Sequence, residues 1–100
     1  MPPTADQITA YLRRLRRRVD EGRIQFTRNA NLSIEDMEWT QADATEQVRC
    51  LRQEDFLRVE TSTVDESMIW VFTPDEPWFG RLWIRLVERA GIIVISFHPG

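Results

Sequence analysis

The chain changes its hydrophobic period once, and that switch limits the folds open to it. Early on, Ile8, Leu12, Leu15 and Val19 recur at spacings of four, three and four, the repeat of one face of a helix. From Phe56 onward the repeat is two, the signature of strands. Thr4 followed three residues later by Gln7 predicts a capping box at the first helix, and Gly22 predicts its stop. Thr40 with Asp43 predicts a second helix, in which Ala44, Val48 and Leu51 repeat at helical spacing and which ends near Asp55. Between the two, residues 24–27 read as a short strand or an extended linker. The polar Asn29-Ala30-Asn31 run has no clear period.

Four strands are expected, at residues 57–63, 68–73, 81–87 and 92–97, separated by turns at 64–67, 74–80 and 89–91. The expected fold is therefore α+β: two helices from the N-terminal half packed on one face of an antiparallel meander, with the other face partly open. One hundred residues, 42% apolar and 29% charged, suit a single domain over residues 1–100. The longest apolar stretch, residues 92–95 with Phe97, falls far short of the roughly 20 residues that cross a bilayer, and no signal segment is recognised, so a cytoplasmic protein is expected. With one cysteine, Cys50, and one histidine, His98, neither an internal disulfide nor a protein-only metal cage is expected. A glycine-rich phosphate loop is also missing from the sequence. No metal or cofactor is therefore anticipated.

Strand alternation divides the side chains into two sets. Leu57, Val59, Thr61, Met68, Trp70, Phe72, Leu82, Ile84, Leu86, Ile93, Ile95 and Phe97 form the set expected to face the helices. Arg58, Glu60, Ile69, Val71, Arg81, Trp83, Arg85, Ser96 and His98 are left to face outward. Arginines, an indole, a carboxylate and the only imidazole on one face are suited to a phosphodiester: guanidinium neutralises phosphate, imidazole moves a proton near neutral pH, and indole stacks on an unpaired base. RNA also carries its own nucleophile, the 2′-hydroxyl. Plainer readings stand beside these. Arg58 with Glu60 and Arg85 with Glu88 suit surface ion pairs, and Trp39 and Trp78 suit packing at loop–helix junctions. The Arg13–Arg18 run suits a solvated face or a docking surface. Net charge is +4 over residues 1–30, −9 over 31–79 and +2 over 80–100, which argues against broad nucleic-acid affinity.

Leu51-Arg52-Gln53-Glu54-Asp55-Phe56-Leu57-Arg58, the Ile69-Trp70 pair before a proline-containing loop, Gly80-Arg81-Leu82-Trp83-Ile84-Arg85-Leu86 and the closing Val94-Ile95-Ser96-Phe97-His98 resemble the MqsR family of toxin ribonucleases, within the wider RelE-like group. The resemblance implies a metal-independent endoribonuclease (an mRNA interferase) that cleaves messenger RNA and arrests translation. It also implies a cognate antitoxin partner, with the ribosome a further candidate partner. The family pattern places Lys, Gln, Tyr and Lys where this chain has Arg58, Val71, Trp83 and His98. Arg58 would then serve electrostatically and Trp83 by stacking, while Val71 offers no polar chemistry. His98 would supply an acid or base as a near-terminal His does in other RelE-like ribonucleases, with Glu60 as general base. The expected catalytic set is His98, Arg58, Glu60 and Arg85, with Arg81 and Trp83 binding substrate. The alternative is a catalytically inactive homologue acting as a protein-binding module.

Overall fold

The computed structural model describes residues 2–100. The chain runs α1 (Ala5–Asp20), β1 (Ile24–Phe26), α2 (Arg28–Asp36), α3 (Gln41–Arg49), one 3₁₀ turn (Gln53–Asp55), then β2 (Phe56–Thr61), β3 (Met68–Phe72), β4 (Asp75–Glu76), β5 (Gly80–Arg89) and β6 (Ile92–Pro99). The sheet order is β1-β6-β5-β3-β2, with β4 pairing only to β5. It is an α+β fold with its helices in the N-terminal half, as expected.

Both capping boxes form: Thr4 accepts from the Gln7 N–H and Gln7 returns the bond, and Thr40 and Asp43 do the same for α3. Gly22, at φ +73, closes α1 in a Schellman arrangement, with Gly22 N–H on the Val19 carbonyl and Arg23 N–H on that of Arg18. The Ala90-Gly91 turn joining β5 to β6 has both residues at positive φ, +53 and +78, the conformation that suits the twist of a two-residue hairpin.

Several details depart from the sequence reading. The polar run at Asn29–Asn31 lies inside a third helix, α2, capped by Thr27 and burying only Ala30, Ser33 and Ile34, too sparse a stripe to register as a period. α3 ends at Arg49, because Cys50 and Leu51 turn away before the 3₁₀ turn. Residues 24–26 are a strand, and it runs parallel to β6 (Ile24↔Ile93, Phe26↔Ile95), so the sheet is not a pure meander.

The parity of β2 is also shifted. A bulge between Phe56 and Arg58 inserts one extra residue opposite β3, which hands the helix-facing position to Phe56 and leaves Leu57 39% exposed. Thr61 and Met68, expected inside, sit at the exposed end of the β2–β3 hairpin. Val71, expected outside, is fully buried. Trp39 packs edge-on to Phe79 as foreseen, but Trp78 is 87% exposed and packs at no junction.

The core joins Ile8, Leu12, Leu15 and Val19 of α1 to Phe72, Leu82, Ile84, Leu86, Ile93, Ile95 and Phe97 of the sheet. Tyr11 stacks on Trp70 with centroids 4.0 Å apart, and burial raises its hydroxyl pKa well above the ordinary phenol value. Truncating Phe72, which has no exposed surface and meets the rings of Tyr11 and Phe56, should cost about 3–5 kcal/mol. Leu57→Ala at the bulge should cost less than about 1 kcal/mol. Urea unfolding of the two variants checks this register, and equal losses would contradict it.

Candidate functional site

Residues opposite one another in an antiparallel ladder share a face. Across four strands, Arg58 pairs with Val71, Val71 with Arg85, and Arg85 with Ser96. Trp83 pairs with His98, and Glu60 with Ile69. All the site residues expected from the sequence therefore lie on strands of one sheet face, the one turned away from the helices, with Arg81 at the start of β5.

Three of them form a charged cluster. Arg58 Nε donates to Glu60 Oε2 at 2.7 Å, its Nη2 lies 2.7 Å from the same oxygen, and Arg85 Nε donates to Glu60 Oε1 at 3.4 Å. The carboxylate is thus bracketed by two guanidiniums. Their hydrogen bonds, that of Arg58 first and that of Arg85 next, hold Glu60 below the usual carboxylate range. Val71 is opposite both arginines and fully buried, while the arginine heads meet at Glu60. Arg58 also places its guanidinium carbon 5.8 Å from the centroid of the Trp83 ring, within cation–π range.

His98 is exposed beside this cluster, across the ladder from Trp83. Its Nδ1 lies 2.9 Å from the Pro99 carbonyl. A carbonyl oxygen can only accept, so this contact requires Nδ1–H and leaves Nε2 as the ring nitrogen free for proton transfer. Among the described residues, no hydrogen bond or ion pair joins His98 or Arg81 to the Arg58–Glu60–Arg85 cluster.

The remaining ion pairs differ from the sequence reading. Glu88 does not pair with Arg85, because the two occupy opposite faces of β5; it takes Arg14 at 2.6 Å and Arg18 at 3.5 Å instead. Arg16 donates to the carbonyls of Arg49 and Leu51 at the C-terminal end of α3, where helix-end oxygens carry partial negative charge. Part of the basic run in α1 thus ties the helix to its neighbours. A groove of about 450 Å³, lined in part by Tyr11, Arg14, Val59, Met68 and Trp70, belongs to the helix-bearing side, whereas the charged cluster lies on an open surface.

The family model described as the motility quorum-sensing regulator, toxin of MqsA, matches residues 8–99. The chain belongs to the MqsR toxin family. A comparison with curated proteins gives no match. Membership makes this chain a toxin of a toxin–antitoxin pair, with an antitoxin as its partner. The matched span includes every residue of the charged face. No helix among the described residues is long and apolar enough to cross a membrane.

The Glu60 pairing gives a pH signature. Its folded pKa lies below the ordinary 4.5, so the ionised carboxylate stabilises the fold at neutral pH, and this contribution fades as pH falls through the folded value. The stability difference between wild type and Glu60→Gln should hold constant above about pH 5.5 and shrink below about pH 4.5. Denaturant titrations at a series of pH values read it; a difference that grows on acidification would contradict the pairing.

Proposed function

We propose that this MqsR-family toxin is a metal-independent endoribonuclease whose site is the open sheet face, and that it inhibits translation by cutting messenger RNA, with the ribosome a further candidate partner. One observation carries the reading: two guanidiniums converge on a single anion on a sheet face that also carries an indole and, across the ladder from it, an exposed imidazole. Arg58 and Arg85 hold and neutralise the scissile phosphate, Arg81 contacts the flanking backbone, and Trp83 stacks a base.

The chemistry needs one base and one acid. Glu60, displaced from its guanidiniums by the incoming phosphate, loses the hydrogen bonds that lower its pKa and gains a negative neighbour, and both changes make it a stronger base. It takes the proton of the 2′-hydroxyl. The resulting oxyanion attacks phosphorus, the P–O5′ bond breaks, and His98, entering the step as the imidazolium with both ring nitrogens protonated, gives the leaving oxygen its Nε2 proton and is left as the neutral Nδ1–H form. The products are a 2′,3′-cyclic phosphate and a 5′-hydroxyl. Arg58 and Arg85 stabilise charge gathering on the phosphoryl oxygens and, always protonated, transfer no proton themselves.

Purified protein incubated with RNA in the presence of EDTA should yield 2′,3′-cyclic phosphate ends. His98→Ala should lower the cleavage rate by about 10²-fold or more. Equal cleavage by the variant would remove His98 from the mechanism, and a requirement for magnesium would remove the mechanism. RNA left intact by a protein that still binds its antitoxin would select the alternative reading of an inactive, protein-binding homologue.

A further inference from the structure

Trp78 is the most exposed aromatic side chain on the molecule, at 87%, and nothing in the proposed mechanism uses it. Isolated exposed apolar residues are common on surfaces and carry little meaning alone. The loop that holds Trp78, however, is fixed in place. One carboxylate oxygen of Glu76 accepts from the Trp78 N–H at 2.8 Å and from the Phe79 N–H at 2.7 Å. Phe79 is driven against Trp39, ring centroids 6.0 Å apart and nearly perpendicular. Leu82 N–H donates to the carbonyl of the buried Pro74 at 3.0 Å, and Gly80, at φ +73, completes the turn. An aromatic ring stands in solvent on a backbone that is tied down on both sides of it.

Its position in the sheet gives the exposed ring a context. β4 pairs with the first residues of β5, Asp75↔Arg81 and Glu76↔Gly80, so the loop tip caps the end of the strand that carries Arg81, Trp83 and Arg85 outward. Arg81 is exposed and, among the described residues, has no ion-pair partner. Trp78 precedes it by three residues and Trp83 by five, so the two tryptophan Cα atoms are at most about 18 Å apart. Read back along the chain from Arg85, the residues come in the order paired guanidinium (Arg85), indole with imidazole opposite (Trp83), exposed guanidinium (Arg81) and exposed indole (Trp78).

We propose that Trp78 is a second stacking platform for single-stranded RNA, receiving a base that flanks the cleaved linkage while Arg81 holds a phosphate on the way to it. This inference rests on the ribonuclease reading of the same face and extends it beyond the reacting phosphate. A rigid indole with its faces in water stacks any base without reading its edges, so the platform fixes the path and length of the bound strand and leaves sequence choice to other contacts.

The test uses the full chain and two non-cleavable probes, 2′-O-methyl oligonucleotides of three and of eight nucleotides, with binding read by fluorescence anisotropy. Trp78→Ala removes no core packing. It should weaken octanucleotide binding about 5- to 150-fold, the range for losing one base–aromatic stack, and leave trinucleotide binding unchanged. Trp78→Phe should restore most of the octanucleotide affinity. Wild-type binding of the octanucleotide with no change in Trp78→Ala would overturn the platform alone and leave the ribonuclease reading standing. Wild-type failure to bind either probe would overturn both. Loss of antitoxin binding in Trp78→Ala, with RNA binding intact, would reassign the ring to the protein partner.

Discussion

The ladder between β5 and β6 sets the face on which Trp83, Arg85 and His98 lie, and β3 carries that register across to Arg58 and Glu60 on β2. The β5–β6 ladder pairs residues continuously from Leu82↔Pro99 to Arg89↔Ile92. On one side it packs Leu82, Ile84, Leu86, Ile93, Ile95 and Phe97, none more than 3% exposed. Burying each such side chain is worth roughly 1.5–3 kcal/mol, whereas an exposed ion pair contributes about 0–1 kcal/mol. The apolar face therefore sets the register and the charged face accepts it. A slip of one residue would turn Trp83 and Arg85 into the core, and the left-handed Ala90-Gly91 turn opposes such a slip.

That hierarchy explains what could be read from the sequence. β5 and β6 are regular, so alternation alone separates Arg81, Trp83, Arg85 and His98 from the core residues. The caps of α1 and α3 are local, with both partners three residues apart. What escaped needs information that a pattern does not carry. The bulge at Leu57 inverts parity within β2, and α2 buries too few residues to announce itself. The approach of Arg85 to Glu60, twenty-five positions away, follows only from the order of β2, β3 and β5. Trp78 was misplaced for a related reason: in Trp78-Phe79, two adjacent aromatics compete for the one site beside Trp39, and neither hydrophobicity nor spacing tells which takes it.

The departures from the family pattern fit together when placed on the sheet. At the positions where the resemblance implies Lys, Gln and Tyr, on β2, β3 and β5, this chain has Arg58, Val71 and Trp83. A valine between two arginines offers them no hydrogen bond, so both heads reach past it to the carboxylate at Glu60. Arg58, with a flat delocalised head, serves the carboxylate along its edge and approaches the Trp83 ring, a combination that a lysine ammonium satisfies less well. The charge and the stacking surface are thus supplied by β2 and β5, and β3 contributes apolar support beneath them.

The exposure of this cluster bears on the proposed exchange of its carboxylate for a phosphate. With the Glu60 side chain 28% exposed and those of Arg58 and Arg85 50% and 36% exposed, the cluster is a surface network, and its pairs are worth little individually. On the proposed ribonuclease reading, a phosphodiester, whose single negative charge is shared by two non-bridging oxygens, would take the same donors, keep the guanidiniums satisfied and release Glu60 close to the bound linkage. Without the carboxylate between them, Arg58 and Arg85 would repel each other. Glu60 therefore keeps the two guanidiniums aligned, and the modest strength of its pairs would let phosphate replace it on that reading.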